Sequence, residues 1–324
     1  MTRVLVTGGS GFIGGYLVAA LSARGDEVTI LDPNPTKTAF ANARYIQGSV
    51  LDPAVVHEAL SGIEEVYHLA ALSRMWTARR ENFYAVNCRG TEIVLSAARQ
   101  RGVSRFLHCS TESVLFPRAA SDILITEQVD PPIDEMPGPY TRSKLAAERL
   151  AREAAAAGLP VVIAIPTMPI GLDHNFTPPA AMLGYFLKRH IQFYLDFTLN
   201  LVDVRDVATG IIATMKRGRI GERYILGGEN ISLGGLLRRV GSLSRRKHVP
   251  IAIPGWAALV SAAFMEKTAD WLTGTAPPAT VEGVRLALRS HSFSIEKSQR
   301  ELGYQPQQIN SALRELIASL QTTN

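Results

Sequence analysis

Cysteine is almost missing from this chain: among 324 residues only Cys88 and Cys109 occur. Two thiols cannot build a disulfide framework, and neither stands at a metal-ligand spacing, so no metal is expected. Both read as small buried apolar side chains. Excess charge is also scarce. Lys and Arg exceed Asp and Glu by 34 to 29, a formal charge of +5. Only "KRGR" (216–219) and "RRKH" (245–248) cluster, and without a recognition motif they read as solvated helix ends and loops. No nucleic-acid partner is expected. No transmembrane segment is expected either: the apolar run Pro250 to Met265 is shorter than the ~20 residues a bilayer requires, and it carries two prolines. A strand pattern starting at residue 3 leaves no room for a signal peptide. A soluble, cytoplasmic protein is the expectation.

What is present is an ordinary globular composition, 46% hydrophobic with 26 glycines and 18 prolines. That suffices for one sizeable core and a smaller lobe. Short apolar runs read as buried parallel strands at 3–8, 27–32, 43–48, 64–71, 104–110 and 160–166. Helical patterns fall between them at 12–24, 53–61, 82–101 and 140–157. Asp52-Pro53 reads as an N-cap followed by proline at the first helical position. Strict alternation of this kind predicts an α/β fold, a Rossmann doubly wound parallel sheet. After Pro166 the pattern loosens. A helix follows at 180–190, then a strand, turn and helix over 199–218 with Asp206 as cap, and a strand at 222–228. The expected organisation is a cofactor-binding domain over 1–166, completed by about 199–228. A smaller, interleaved C-terminal α/β substrate lobe takes 167–198 and 229–324.

"VTGGSGFIGGYL" places Gly8, Gly11 and Gly14 directly after the first strand and at the start of the first helix. Glycines there permit a tight turn and close backbone approach to a pyrophosphate, and the helix N-terminus offers unpaired N–H groups to that anion. The next strand ends in Asp32. A carboxylate at that point accepts hydrogen bonds from ribose hydroxyls and repels a 2′-phosphate, so the expected cofactor is NAD rather than NADP.

"GPYTRSKLAAE" sets Tyr140 and Lys144 four residues apart on one helical face. A free tyrosine, with a pKa of about 10, is too weakly acidic to serve as a base at neutral pH. A nearby ammonium and an oxidised nicotinamide would both favour its phenolate. Tyr140 so tuned could take a hydroxyl proton while hydride leaves for the cofactor. Lys144 could hold the nicotinamide ribose as well. "HCSTES" supplies Ser110 and Thr111 at a strand end, where open α/β sheets bind ligands.

Taken with "HLAA" (68–71), "NCRGT" (87–91) and "DVRDVA" (203–208), these elements resemble the extended short-chain dehydrogenase/reductase superfamily over essentially the whole chain. By that resemblance Thr111, Tyr140 and Lys144 form the catalytic group, Thr111 being chosen over Ser110 because it lies three residues before Val114. The resemblance also implies a cofactor site lined by Gly8, Gly11, Phe12, Ile13, Gly14, Asp32, Ser49, Val50, Leu69, Ala70, Ala71, Asn87, Tyr140, Lys144, Pro166 and Met168. Relatives often dimerise through a helical bundle, which here would use 82–101 and 140–157. Within the superfamily, "PTMPIG", "LNLVDVRDVATG", "GRIGERYILGGENISL" and "ELGYQP" look similar to hopanoid-associated sugar epimerases and dihydroflavonol-reductase-like proteins. Ser49 replaces the aspartate such proteins usually carry. Met168 stands where nucleotide-sugar epimerases place an asparagine, and "TLNLV" is apolar where their strand is commonly charged.

Finally, "IPGWAALVSAAFMEKTADWL" (253–272) sets Trp256, Leu259, Val260, Ala263 and Phe264 on one helical face, with Trp271 and Leu272 beyond. It reads as a core helix, or as an apolar lid touching a membrane surface. 3β-Hydroxysteroid and sterol-carboxylate dehydrogenases look similar here. The expected substrate is therefore a small molecule, a sugar nucleotide or an apolar secondary alcohol, undergoing Tyr–Lys-assisted hydride transfer as an epimerase or a dehydrogenase. The contrasting class is a non-catalytic NAD-binding regulatory subunit, which would have no use for a tuned Tyr140.

Overall fold

The computed structural model describes residues 1–35, 42–117, 123–172, 178–188, 190–244 and 249–322. The "RRKH" cluster lies outside the described residues. The strands are β1 (Arg3–Thr7), β2 (Glu27–Asp32), β3 (Ala43–Gln47), β4 (Glu65–His68), β5 (Arg105–Cys109), β6 (Val161–Pro166), β7 (Met168–Ile170), β8 (Ile191–Tyr194), β9 (Thr198–Asp203), β10 (Arg223–Leu226), β11 (Glu229–Ser232) and β12 (Val249–Ala252). The first helices are α1 (Phe12–Ala23), α2 (Pro53–Ala59), α3 (Glu81–Phe83), α4 (Gly90–Arg101), α5 (Pro139–Ala156) and α6 (Pro178–Lys188). They are followed by α7 (Val204–Arg217), α8 (Leu233–Ser244), α9 (Gly255–Thr268), α10 (Val281–Ala287), α11 (Glu296–Leu302) and α12 (Asn310–Thr322).

Seven strands pair in the order β10-β6-β5-β4-β1-β2-β3, every neighbour parallel. Parallel strands covered on both faces must be apolar along their length. Val4, Leu5 and Val6 of β1 and Val161 to Ile165 of β6 are indeed fully buried. Strand order reverses between β1 and β4, and the crevice at such a switch point is where open α/β sheets place ligands. This is the doubly wound α/β fold expected.

Local chemistry explains the element boundaries. Asp52 accepts hydrogen bonds from the Ala54 and Val55 amides (2.9 and 3.3 Å), with Pro53 opening α2, so Asp52 is a helix cap. For α7 the cap is Asp203, which accepts from Arg205 N at 2.8 Å. Asp206, expected in that role, is already inside the first turn and accepts from Gln307 N instead. The helical run over 82–101 is α3 and α4 joined by a π-helical segment, Tyr84–Arg89. Such segments insert a residue and redirect side chains, often at functional sites. Strand β4 ends at His68, and residues 69–71 leave the sheet to cross the glycine turn.

The smaller lobe carries a β11-β9-β7 sheet and a β12-β8 pair. Thus within 199–228 α7 and β10 join the large layer, while β9 runs in the small sheet. Leu183, Leu199, Leu201, Leu236, Leu313 and Leu316 share the lobe's own core, each contributing roughly 1.5–3 kcal/mol by burial. Leu199 and Leu201 of the apolar "TLNLV" are therefore packing residues. The core-helix expectation for 253–272 is overturned: Ala258, Ala262 and Ala269 are buried, whereas Trp256, Val260 and Phe264 face outward. Among the described residues of 82–101 and 140–157, the exposed large apolar side chain is Tyr84, at 63%.

Candidate active site

The loop from β1 to α1 is shaped by what its glycines lack. Gly8 has φ of +74°, and a Cβ on it would sit 2.7 Å from Ala70 N. A Cβ on Gly14 would lie 2.1 Å from the Gly8 carbonyl oxygen. The N-cap of α1 is Gly11, without a side-chain cap and with no acid in the first turn. Its leading amides and partial positive charge are thus available to an anion. The Ser10 hydroxyl oxygen beside them is buried without a partner. An uncapped helix end and an orphaned hydroxyl in a side-chain-free cradle fit a dinucleotide pyrophosphate. Asp32, closing β2, accepts from Ser10 N at 3.1 Å and from Asn34 N at 2.9 Å. Its carboxylate therefore also ties the glycine turn to the strand beside it.

At the crevice side of β4 a directed chain of hydrogen bonds sets the wall. Thr91 Oγ1 donates to the Asn87 carbonyl (2.6 Å), so it accepts from His68 Nε2 (2.9 Å). His68 Nδ1 then accepts from Thr7 Oγ1 at 2.7 Å, and Thr7 Oγ1 accepts from Ala70 N at 3.3 Å. Burial, with the Lys144 charge adding to it, lowers His68 to about 3, so it stays neutral. The chain pins Leu69 and Ala70 over Gly8, with Leu69 N donating to the Thr7 carbonyl at 3.0 Å.

Asn87 does not face the crevice with a free amide. Its Oδ1 accepts from Leu72 N (2.7 Å), and its Nδ2 donates to Leu72 O and to Ser143 Oγ. It clamps the segment after Ala71 to the helix that carries Tyr140. Val50 also departs from expectation: its side chain enters the core, where a Cβ on Gly90 would press it at 2.7 Å. Ser49 Oγ accepts from Leu51 N. Pro166 closes β6, and Met168 packs against the small lobe's core. Phe12 stacks edge-on against Tyr16, and Ile13 packs on the main core.

The chemistry gathers where β5 ends and α5 begins. Ser110 donates to Glu148, which is fully buried and paired with Arg223 at 3.2 Å. Its hydroxyl is thereby committed to the interior. Thr111 is the next residue, and its Oγ1 lies 3.2 Å from Ser113 Oγ. Tyr140, 6% exposed, packs its ring edge-on to Phe83 at 6.1 Å. Burial raises the Tyr140 hydroxyl to about 12; hydrogen bonding from Thr111 and Ser113 lowers it, and the Glu282 carboxylate raises it. The expected lowering by Lys144 is not what governs it in the protein alone. Lys144 donates from Nζ to the Cys109 carbonyl at 2.8 Å, and burial lowers its own pKa. Cys109 itself is raised to about 11 by burial.

Three residues that sequence reasoning did not single out belong to this cluster. Ser113 shares the Tyr140 hydroxyl with Thr111, and its place two residues beyond a strand-end hydroxyl was a usable signal. Glu112, between them, has a sealed Oε2 without a partner, though the residue as a whole is only half-buried. Burial raises it to about 8. Glu282 reaches in from α10, 142 residues from Tyr140, and no local pattern announces it.

Over residues 4–227 the sequence matches the family described as NAD dependent epimerase/dehydratase. The chain belongs to that family. It is an enzyme family of the extended short-chain dehydrogenase/reductase type. The chain is 32% identical to the "Putative dihydroflavonol 4-reductase" of Synechocystis sp., covering 96% of this chain and 92% of that one. It is 31% identical to the 4-hydroxy-2-methyl-3-oxo-4-farnesyl-3,4-dihydroquinoline-1-oxide ketoreductase of Stigmatella aurantiaca, over 93% and 91% of the two chains. Among solved structures it is similar to gox2253, 30% identical with a TM-score of 0.84, covering 100% of this chain and 99% of that one.

Proposed function

We propose that the protein interconverts an apolar secondary alcohol and its ketone, with NAD as the redox partner. The observation that carries this reading is the buried Tyr140, its ring edge-on to Phe83 and its hydroxyl under the hydrogen-bonding influence of Thr111 and Ser113, with Lys144 one turn along the same helix. In alcohol oxidation Tyr140 takes the hydroxyl proton and the carbinol carbon loses hydride; reduction returns both. When bound, the nicotinamide accepts or supplies that hydride. Thr111 and Ser113 donate hydrogen bonds that hold the substrate oxygen against Tyr140. Lys144, anchored on the Cys109 carbonyl, places a positive charge behind the phenol and within reach of a ribose. A buried phenol near pKa 12 is a poor base, so these charges and hydrogen bonds must act together to release its proton.

Gly8, Gly11 and Gly14 with the α1 N-terminus would hold the pyrophosphate. Asp32 would accept from the ribose hydroxyls and exclude a 2′-phosphate. Preference for an apolar substrate rests on the ketoreductase and reductase names of the relatives, and on Met168 in place of a polar contact to a sugar nucleotide. A net dehydrogenase or reductase is favoured over an epimerase for the same reason.

The test is NADH formation by the purified protein with sterol-type and long-chain secondary alcohols, set beside UDP-sugars. Tyr140→Phe should cut turnover by at least about 100-fold while NAD binding, read by protein fluorescence, stays near the parent's. Turnover of UDP-sugars alone, or an active Tyr140→Phe, would overturn the proposal.

A further inference from the structure

Helix α9 is built inside out. Its small residues Ala258 and Ala262, and Ala269 just beyond it, are buried, while Trp256 is 71%, Val260 64% and Phe264 73% exposed. The π-helical turn that follows exposes Trp271 and Leu272, each at 82%. A helix apolar all round belongs in a core; this one leaves its largest side chains in water. The strand leading into it does the same. On the β8–β12 pair, Val249 stands opposite Ile191 and Ile251 opposite Phe193, and all four are exposed. Half of the exposed large apolar side chains among the described residues fall in these elements. Monomeric soluble proteins rarely carry such patches without a partner.

The charges say which partner. Glu266 and Asp270, the acids of this segment, turn away from the apolar face: both pair with Arg80, and Asp270 also accepts from Trp76 Nε1 at 2.9 Å. Left outward are Lys267, on the helical face that carries Trp256 and Val260, and Lys188, just before β8. Asp196, two residues beyond β8, is exposed as well but accepts from Gly234 N at 3.0 Å, and Asp270 is held by Arg80. With its acids so engaged, an apolar surface with tryptophans at both ends and cations on its face suits an anionic lipid surface. A second copy fits less well, because a two-fold pairing of this face brings like charges together. No helix among the described residues is long and apolar enough to cross a membrane.

We propose that α9 and the β8–β12 pair seat the protein on an anionic lipid surface, beside the cleft that takes the substrate. A mechanical link to the site exists. Glu266 accepts from Val281 N at 2.9 Å, at the start of α10, and the next residue, Glu282, holds the Tyr140 and Thr141 amides. Delivery of the alcohol from the bilayer rests on the apolar-substrate reading; docking itself does not.

The full chain is floated with vesicles of phosphatidylcholine and phosphatidylglycerol, and with phosphatidylcholine alone. The parent should float with the mixed vesicles, and the triple variant Trp256→Ser, Phe264→Ser, Trp271→Ser should lose at least about tenfold in partition. Thermal unfolding and turnover of a water-soluble secondary alcohol serve as controls and should match the parent. Because flotation is read without substrate, an inactive protein that still floats refutes the functional reading and leaves docking standing. Absence of flotation, equal flotation of the variant, or a soluble dimer that the variant converts to monomer would each overturn the proposal.

Discussion

The Glu282 carboxylate caps the helix that carries Tyr140: its Oε1 accepts from both the Thr141 amide and the Thr141 hydroxyl, each at 2.8 Å. Oε2 takes the Tyr140 amide at 3.2 Å. The formal N-cap of α5, Gly138, has no side chain to offer, and a Cβ there would stand 2.3 Å from Glu282 Cδ. An anion from the smaller lobe thus replaces the local cap, where the helix dipole favours it. The same charge raises the Tyr140 hydroxyl, so it opposes release of the phenolic proton.

Glu282→Gln should therefore separate two effects. One amide loses its acceptor, costing about 1–3 kcal/mol in stability. With the negative charge gone, the rise of alcohol oxidation with pH should move toward lower pH, since the phenolate is no longer disfavoured by a neighbour. A pH–rate profile displaced toward higher pH, or unmoved, would show that Glu282 does not act on Tyr140.

How much of this was legible beforehand follows from chain distance. The glycine turn, Asp32 and the Tyr140–Lys144 pair are local patterns, each readable from a dozen residues, and the strand-helix alternation places them at one crevice. Glu282, and the Ser110–Glu148–Arg223 network, are contacts between residues 38 to 142 positions apart, and nothing in their neighbours marks them. The α9 face shows a different failure. Its spacing puts the large apolar side chains on one face, but spacing alone does not say whether that face or the alanine face opposite is turned to the core. Tyr140 illustrates a third reason: spacing reveals the ammonium nearby but not the depth of burial, which is the largest influence on its hydroxyl in the protein alone.

Glu112 provides a test through stability. Its carboxyl is raised to about 8, so the folded state keeps a proton that the unfolded chain releases near the ordinary glutamate value. The favourable contribution is present below the unfolded pKa and is lost as pH rises through about 8. Thermal unfolding of the parent should thus weaken across that window relative to Glu112→Gln, which cannot ionise. A parent-minus-variant difference that stays constant with pH would mean Glu112 is already charged at neutrality.

The buried Glu148–Arg223 pair should behave as an all-or-nothing unit. Arg223 also donates to the Glu127 and Val129 carbonyls, while Glu148 receives the Ser110 hydroxyl. Arg223→Met leaves Glu148 charged in the interior and should cost about 3–5 kcal/mol in urea unfolding. Adding Glu148→Gln should restore part of that loss. A single variant that loses less than about 1 kcal/mol would place water, or relaxed structure, around the pair.

The proposed preference for NAD rests on Asp32, and its two backbone contacts make the choice of variant matter. Alanine would release both the Ser10 and Asn34 amides and disturb the glycine turn itself. Asparagine keeps one acceptor for that turn while removing the charge that a 2′-phosphate must approach. Hydrogen bonds to a charged group are worth about 1.5–3 kcal/mol, so Asp32→Asn should weaken NAD by roughly tenfold or more. NADP, freed of repulsion, should lose less or gain, and the NAD-to-NADP preference should fall by at least about tenfold. Titrating both dinucleotides against parent and variant measures this directly. A parent that already prefers NADP would show that the carboxylate, held by Ser10 and Asn34, serves the turn and not the ribose.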